Sequence, residues 1–226
     1  MTVFCFSGSG HSWAVAKELA EMLACELCPI EGDTETKAEE TTVVVFPVYC
    51  QNIPSPVVDF LRKLQSKYLV LIATYGKISY GRVLYEAQRL VQGDVIAGAY
   101  IPVGHTFLDG NCDFDKEKLF PIIERIKVPK AAKIPKTRKN PLANIFPALR
   151  SRMGVKLIKD SRCTNCGTCE KACPMGAIQN GNAGAACIRC LRCVKSCPPK
   201  ALHYKNSWIL NLYLKSYYLD DFVLYL

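Results

Sequence analysis

Five short apolar runs punctuate the first half of the chain, with amphipathic stretches between them. Thr2–Phe6, Cys25–Ile30, Thr42–Val48, Tyr68–Thr74 and Asp94–Ile101 are rich in apolar residues, and Val43, Val44, Val45 and Phe46 form an unbroken block. Runs of this kind fit strands covered on both faces, as in a parallel sheet. Trp13, Ala14, Ala16, Leu19, Ala20 and Leu23 keep a helical period, as do Val57, Val58, Phe60, Leu61 and Leu64 within Ser55–Gln65. Tyr80–Val91 and Asp113–Lys127 are two more helices by the same pattern, the latter with Asp113 or Asp115 at its N-cap. Glu31–Thr42 is polar and too short for a crossover helix, so a loop is expected there. The pattern predicts an α/β fold, a doubly wound parallel sheet of order 2-1-3-4-5, with a ligand at the switch point between strands one and three.

That expectation directs attention to the loops after strands one, three and four. After strand one comes Ser7-Gly8-Ser9-Gly10-His11-Ser12, a hydroxyl-rich turn opening a helix, where backbone N–H groups converge on an anion. No Lys follows Gly10, which disfavours an NTPase phosphate loop, and Trp13 stands where a dinucleotide fingerprint needs a small residue. A phosphate monoester held by neutral donors remains. The loop resembles the flavodoxin phosphate loop T-x-T-G-N-T, with Ser for Thr at three places and His11 for the usual Asn. The resemblance implies a flavodoxin-like FMN domain over residues 1–127. After strand three lies Pro47-Val48-Tyr49-Cys50-Gln51-Asn52, and after strand four Thr74-Tyr75-Gly76-Lys77-Ile78-Ser79-Tyr80-Gly81. An isoalloxazine needs a flat apolar face and backbone donors at its polar edge. Tyr49 and Tyr75 are the stacking candidates. Pro47, Thr74, Gly76 and Gly81 complete the expected ring-side contacts.

The second half is organised by cysteine. Cys163, Cys166, Cys169 and Cys173-Pro174 are followed by Cys187, Cys190, Cys193 and Cys197-Pro198, two consecutive runs of C-x2-C-x2-C-x3-C-P. In this spacing three thiolates on one turn hold three corners of a cubane, and the fourth Cys reaches the neighbouring cluster. One 4Fe–4S cluster is thus assigned to Cys163, Cys166, Cys169 and Cys197, the other to Cys187, Cys190, Cys193 and Cys173. Zinc sites favour more widely separated Cys pairs, and a disulfide scaffold favours a short secreted chain. Residues 156–205 resemble a bacterial-type dicluster ferredoxin, which implies a small α+β domain. Of the other five cysteines, Cys5 reads as core, Cys25 and Cys28 as core or edge thiols, and Cys50 as a thiol beside the flavin site.

Charge separates the two halves. Residues 1–124 carry 10 Lys/Arg and 16 Asp/Glu, and residues 125–226 carry 19 and 4. Arg125 to Lys159 holds eleven basic residues and no acidic one, interrupted by Pro129, Pro135, Pro141 and Pro147. Residues 128–155 read as a basic linker, either solvated or a docking surface for an acidic redox partner. A nucleic-acid surface is disfavoured, because only Phe146 interleaves the charges. The tail, 206–226, is apolar and aromatic but broken by Lys215, Asp220 and Asp221. It is expected to pack on the first domain or to join subunits in a homo-oligomer, not to span a membrane. Thirteen Cys behind a start that reads directly into a strand, with no secretion signal, place the chain in a reducing cytoplasm.

A flavodoxin-like domain followed by a dicluster ferredoxin resembles the flavodoxin–ferredoxin fusion proteins of anaerobes. The resemblance implies electron transfer between clusters and FMN, single electrons being collected and delivered in pairs. Two other readings stay open. One is a flavin-dependent reductase of a small substrate, with Tyr49, His105 or His11 as proton donor. The other is a flavin-free docking domain. No second nucleotide motif supports direct use of a nicotinamide cofactor.

Overall fold

The computed structural model describes every residue except 33, 36–38, 109–111, 146 and 217, together with the side chains outside 147–150. Parts of the expected second crossover, Phe146 and Tyr217 therefore lie outside the described residues. The chain forms two compact units, 1–141 with 219–226, and 142–218.

The first unit begins β1 (Thr2–Cys5), α1 (His11–Leu23), β2 (Glu26–Pro29), β3 (Glu39–Pro47), α2 (Ser55–Lys63), β4 (Gln65–Tyr75), α3 (Val83–Ala87), β5 (Gln92–Pro102) and α4 (Phe120–Lys127). The five strands are parallel and ordered 2-1-3-4-5, the flavodoxin-like doubly wound arrangement. The apolar block of β3 is fully buried, and Val70 and Ile72 of β4 sit beside it in one core with Val15 and Leu19 of α1. Burial on both faces explains why the run does not alternate.

Two helices are shorter than the periodicity predicts. Of Tyr80–Val91 only α3 is helical, because Gly81 turns the chain at φ 61° and the next strand already begins at Gln92. Asp113–Lys127 opens instead as a 3-10 turn, Lys116–Leu119, with the Asp115 carboxylate accepting the Glu117 N–H at 3.0 Å, and Pro121 follows at the head of α4. Residues 130–140, the first part of the expected linker, run along the first unit. The Ala132 N–H donates to the Val95 carbonyl, Ile134 is buried against Gly98, and the Thr137 hydroxyl donates to the Gly81 carbonyl at 2.7 Å. An extended strap of this kind has no sequence period, so composition alone reads it as linker.

The second unit holds α5 (Pro147–Gly154), β6 (Val155–Lys159), α6 (Thr168–Lys171), β7 (Ile178–Gln179), β8 (Asn182–Ala183), α7 (Arg192–Lys195), β9 (Leu202–Asn206) and α8 (Trp208–Ser216). β6 pairs antiparallel with β9, and β7 with β8. Two ladders with one short helix after each cysteine turn make a small α+β unit. The chain then returns to the first unit, where β10 (Val223–Tyr225) adds antiparallel to β5 as a sixth strand. Among the described residues no helix is long and apolar enough to cross a membrane.

Candidate functional site

The two cysteine runs have the same backbone. Asn165 and Arg189, Gly167 and Leu191, and Gly176 and Lys200 are pairs 24 positions apart, and all six residues have φ between 50° and 73°. Non-Gly residues rarely adopt that region. The first run uses Gly at two of its three positions, and the second holds Leu191 and Lys200 there instead. Each left-handed residue at 167 and 191 caps a four-residue helix, α6 or α7. The fourth Cys of each run receives a backbone hydrogen bond from four residues on: Ala177 N–H to Cys173 Sγ at 3.2 Å, and Ala201 N–H to Cys197 Sγ at 3.3 Å.

The runs enclose two cavities. Cys163, Cys166, Cys169 and Cys197 line one, and Cys173, Cys187, Cys190 and Cys193 line the other. Each cavity thus takes three cysteines from one run and the fourth from the other. Among the described residues no cysteine is in a disulfide. Among the described residues no group of three or more His, Cys, Asp or Glu closes on a single metal ion. A cubane suits four thiols spread around a cavity, since it holds them farther apart than one ion does. The thiols differ electrostatically. The Thr168 hydroxyl and backbone N–H hold Cys166 below the usual thiol range, whereas burial pushes Cys193 up to about 12. Burial also raises Cys190 and Cys169.

In the first unit three loops meet at the carboxyl ends of the strands. The Ser9 hydroxyl lies 3.0 Å from Thr106 Oγ1 and 3.3 Å from His11 Nδ1. The Gly10 N–H donates to Ser7 Oγ at 3.1 Å, Gly10 has φ 100°, and the space on its side-chain face is open. Helix geometry gives the first-turn N–H groups of α1 no acceptor within the helix. His105 packs its imidazole against Gly76, where a Cβ would overlap the ring. Burial, then the charge of His11, lowers its pKa to about 4. The Phe107 N–H donates to His105 Nδ1 at 3.1 Å, so the neutral ring carries its proton on Nε2.

An FMN phosphate fits the Ser7–His11 end of this loop, which is open and offers neutral donors. The remaining expected contacts fit less uniformly. Ser12 and Thr74 are buried and bond each other at 2.7 Å, so their hydroxyls serve the core and not a ligand. Tyr75 is 1% exposed and donates its hydroxyl to the Asp221 carbonyl at 2.7 Å, so it offers no free face for ring stacking. Residues close to the C-terminus cover it. Tyr49 stays half-buried in a tight turn: it exchanges backbone bonds of 3.0 and 2.8 Å with Asn52 around Cys50 and Gln51, both at positive φ. Gly8 is buried in the phosphate loop, Pro47 ends β3 half-buried, and Gly81 packs against Gln51, whose Cβ would lie 2.8 Å from an added Cβ.

Sequence reasoning passed over three partners. Thr106 joins the loop after β5 to Ser9, and Cys112 Sγ donates to the His11 carbonyl at 3.4 Å. Lys139 is 5% exposed and donates to both Glu86 carboxylate oxygens (3.0 and 2.9 Å) and to Asn52 Oδ1 (2.7 Å), which pins the Tyr49 turn to the strap. The position of Thr106 after strand five was the available signal for the first; the other two lie in segments without periodicity.

Comparison with known proteins agrees with part of this architecture. The 4Fe-4S binding domain family matches residues 157–179. A sequence comparison with curated proteins gave no match. Among solved structures, a putative flavoprotein from Bacteroides uniformis is 15% identical, with a TM-score of 0.41, over 54% of this chain and 97% of its own. The Trp repressor binding protein from Bacillus subtilis is 8% identical, with a TM-score of 0.29, over 46% of this chain and 84% of its own. The first unit is an α/β unit with a flavodoxin-like parallel sheet, and residues 157–179 of the second are similar to the 4Fe-4S binding domain family.

Proposed function

We propose that this protein transfers electrons between two 4Fe–4S clusters in the second unit and an FMN in the first. The observation that carries the reading is the pair of cavities, each with three cysteines of one run and the fourth of the other. Such clusters exchange single electrons and flavin takes one or two, which is the chemistry the bound groups would supply.

The chain's own residues have defined parts in this reading. Cys163, Cys166, Cys169 and Cys197 hold one cluster, and Cys173, Cys187, Cys190 and Cys193 the other. The Ala177 and Ala201 N–H groups and the Thr168 hydroxyl stabilise the negative sulfurs. Ser7, Ser9, Gly10 and His11 would hold the phosphate, and the turn at Tyr49, pinned by Lys139, would be available to the ring. His105, neutral at pH 7 with Nδ1 accepting the Phe107 N–H, would offer an Nε2 proton without adding charge.

A second reading, a flavin-free first unit that serves for docking, draws on the inward pairing of Ser12 with Thr74 and on the covered Tyr75. An anaerobic redox titration of purified protein, followed by absorbance from the near ultraviolet to the red, separates the two. A flavin signal bleaching together with the broad cluster absorbance is the expected result. Cluster absorbance alone would move the assignment to the docking reading.

A further inference from the structure

The two cysteine cavities meet solvent differently. The cavity of Cys163, Cys166, Cys169 and Cys197 is walled by Thr164, Asn165, Thr168, Glu170 and Asn180, and Thr164, Asn165 and Cys166 are exposed. The cavity of Cys173, Cys187, Cys190 and Cys193 is walled by Leu157, Met175, Ile178, Ile188 and Leu191. Cys187, Cys190 and Cys193 are only 6%, 7% and 5% exposed. Pro198, Pro199 and Leu202 also line the first cavity, so the two differ chiefly in depth: one cluster would lie near the surface and the other beneath buried cysteines. A one-electron donor must come within tunnelling reach of iron, and in this unit the shorter path is through the Cys166 wall.

The charge around that wall selects the donor. Arg162, Lys171 and Lys200 are exposed beside it. Arg162 is tied to the rim through the Lys200 carbonyl at 2.9 Å, and Lys171 sits one helical turn beyond Gly167. Of the two acidic residues in 142–218, Asp160 is engaged by Arg162 and His203, and Glu170 accepts the Asn180 N–H at 2.6 Å. Against those two stand twelve Lys and Arg in the same residues. Such a surface attracts and orients an acidic protein.

We infer that the wall around Cys166 is the docking point of an acidic one-electron carrier protein, so that electrons enter through the cluster of Cys163, Cys166, Cys169 and Cys197. The inference rests on the reading of the second unit as cluster-binding and is independent of the flavin. The step balances simply. The carrier's reduced iron–sulfur centre loses one electron, the cluster behind Cys166 gains it, and no bond or proton moves.

The test uses the full chain, cluster-loaded and anaerobic, with a small acidic [2Fe–2S] ferredoxin as probe. In the oxidised proteins, carbodiimide cross-linking should join ferredoxin carboxylates to Lys171 or Lys200, mapped by mass spectrometry. In stopped flow with reduced ferredoxin, Lys171→Glu with Lys200→Glu should slow cluster bleaching about tenfold at low salt and flatten its salt dependence. Lys205→Glu with Lys215→Glu carries the same charge change in β9 and α8 and should leave the rate within about twofold. Equal slowing by the two pairs, or cross-links concentrated at Lys205 and Lys215, would overturn the assignment. Loss of cross-linking to anionic phospholipid vesicles would overturn it in favour of a membrane surface. Iron content of the same samples reports on the cluster reading by itself, and a flavin-free preparation leaves both readouts in place.

Discussion

The Tyr75 hydroxyl, at the end of β4, donates to the Asp221 carbonyl oxygen across 146 positions of sequence, at 2.7 Å. Around it the Leu219 N–H donates to the Lys77 carbonyl, and the Lys77 ammonium pairs with Asp220 at 3.0 Å. The C-terminal segment is therefore held by the loop that follows β4 before it reaches β5. Tyr75→Phe removes one buried hydrogen bond and leaves the Asp221 carbonyl to find water. It should cost about 1 kcal/mol of stability. Amide exchange of Val223–Tyr225 should accelerate while that of β3 stays unchanged, as hydrogen-exchange mass spectrometry would report. Unchanged exchange in β10 would show that the strand is held by its ladder alone.

Cys173 lies in the first run but lines the cavity of the second. Cys173→Ala should therefore remove the same cluster as Cys190→Ala and leave the other. Iron content should fall by about half in either variant. The electron paramagnetic resonance spectra of the two reduced variants should match each other and differ from that of Cys166→Ala. Because cluster binding is coupled to folding, the second unit should also lose thermal stability. A Cys173→Ala spectrum that matches Cys166→Ala would remove the crossed assignment.

His105 gives the first unit a pH dependence of defined sign. Its folded pKa of about 4 lies below the ordinary 6.5, so the unfolded chain binds the proton more readily. The stabilisation is complete above pH 6.5 and is lost as pH falls through 4. The loss should amount to about 2 kcal/mol or less, because the ring keeps some contact with solvent. Urea denaturation between pH 7 and 4 should show the slope, and His105→Gln should flatten it. A histidine proton resonance that titrates near 6.5 would refute the assignment.

Lys139 is the buried cation of the first unit's strap, and Glu86 is shared between it and Arg82. Lys139→Met leaves Glu86 one partner and frees Asn52 Oδ1. The expected cost is about 2 kcal/mol, below that of an ion pair with no remaining partner. Because Asn52 closes the Tyr49 turn, flavin dissociation measured by fluorescence should quicken in the same variant. Faster unfolding with unaltered flavin release would separate the strap from the site.

Local patterns were legible and distant ones were not. The strands of the sheet could be read because burial on both faces leaves continuous apolar runs, and Val43–Phe46 is fully buried as such a run requires. Three of the cysteines that line each cavity stand at fixed short spacing within one run, while the fourth comes from the other run. Tyr75 misled as a stacking residue because its cover comes from Asp221, far along the chain. Ser12, in α1, misled because its partner, Thr74, lies on β4, 62 positions along the chain. Residues 130–140 read as linker because an extended segment advertises no period, although Ile134 is 4% exposed. The short strand Val223–Tyr225 was hidden within a longer apolar tail.

The discontinuity of the first unit bears on how the molecule is made. The chain leaves that unit at residue 141 and rejoins it at 219, after all eight clustered cysteines. On the ribosome, therefore, β5 emerges long before the strand that will cover its edge. Until β10 arrives, the Gly98–Tyr100 edge is open to any other strand. This side of β5 is paired last, by residues synthesised only after all eight clustered cysteines, so a chain interrupted within the second unit keeps the β5 edge bare.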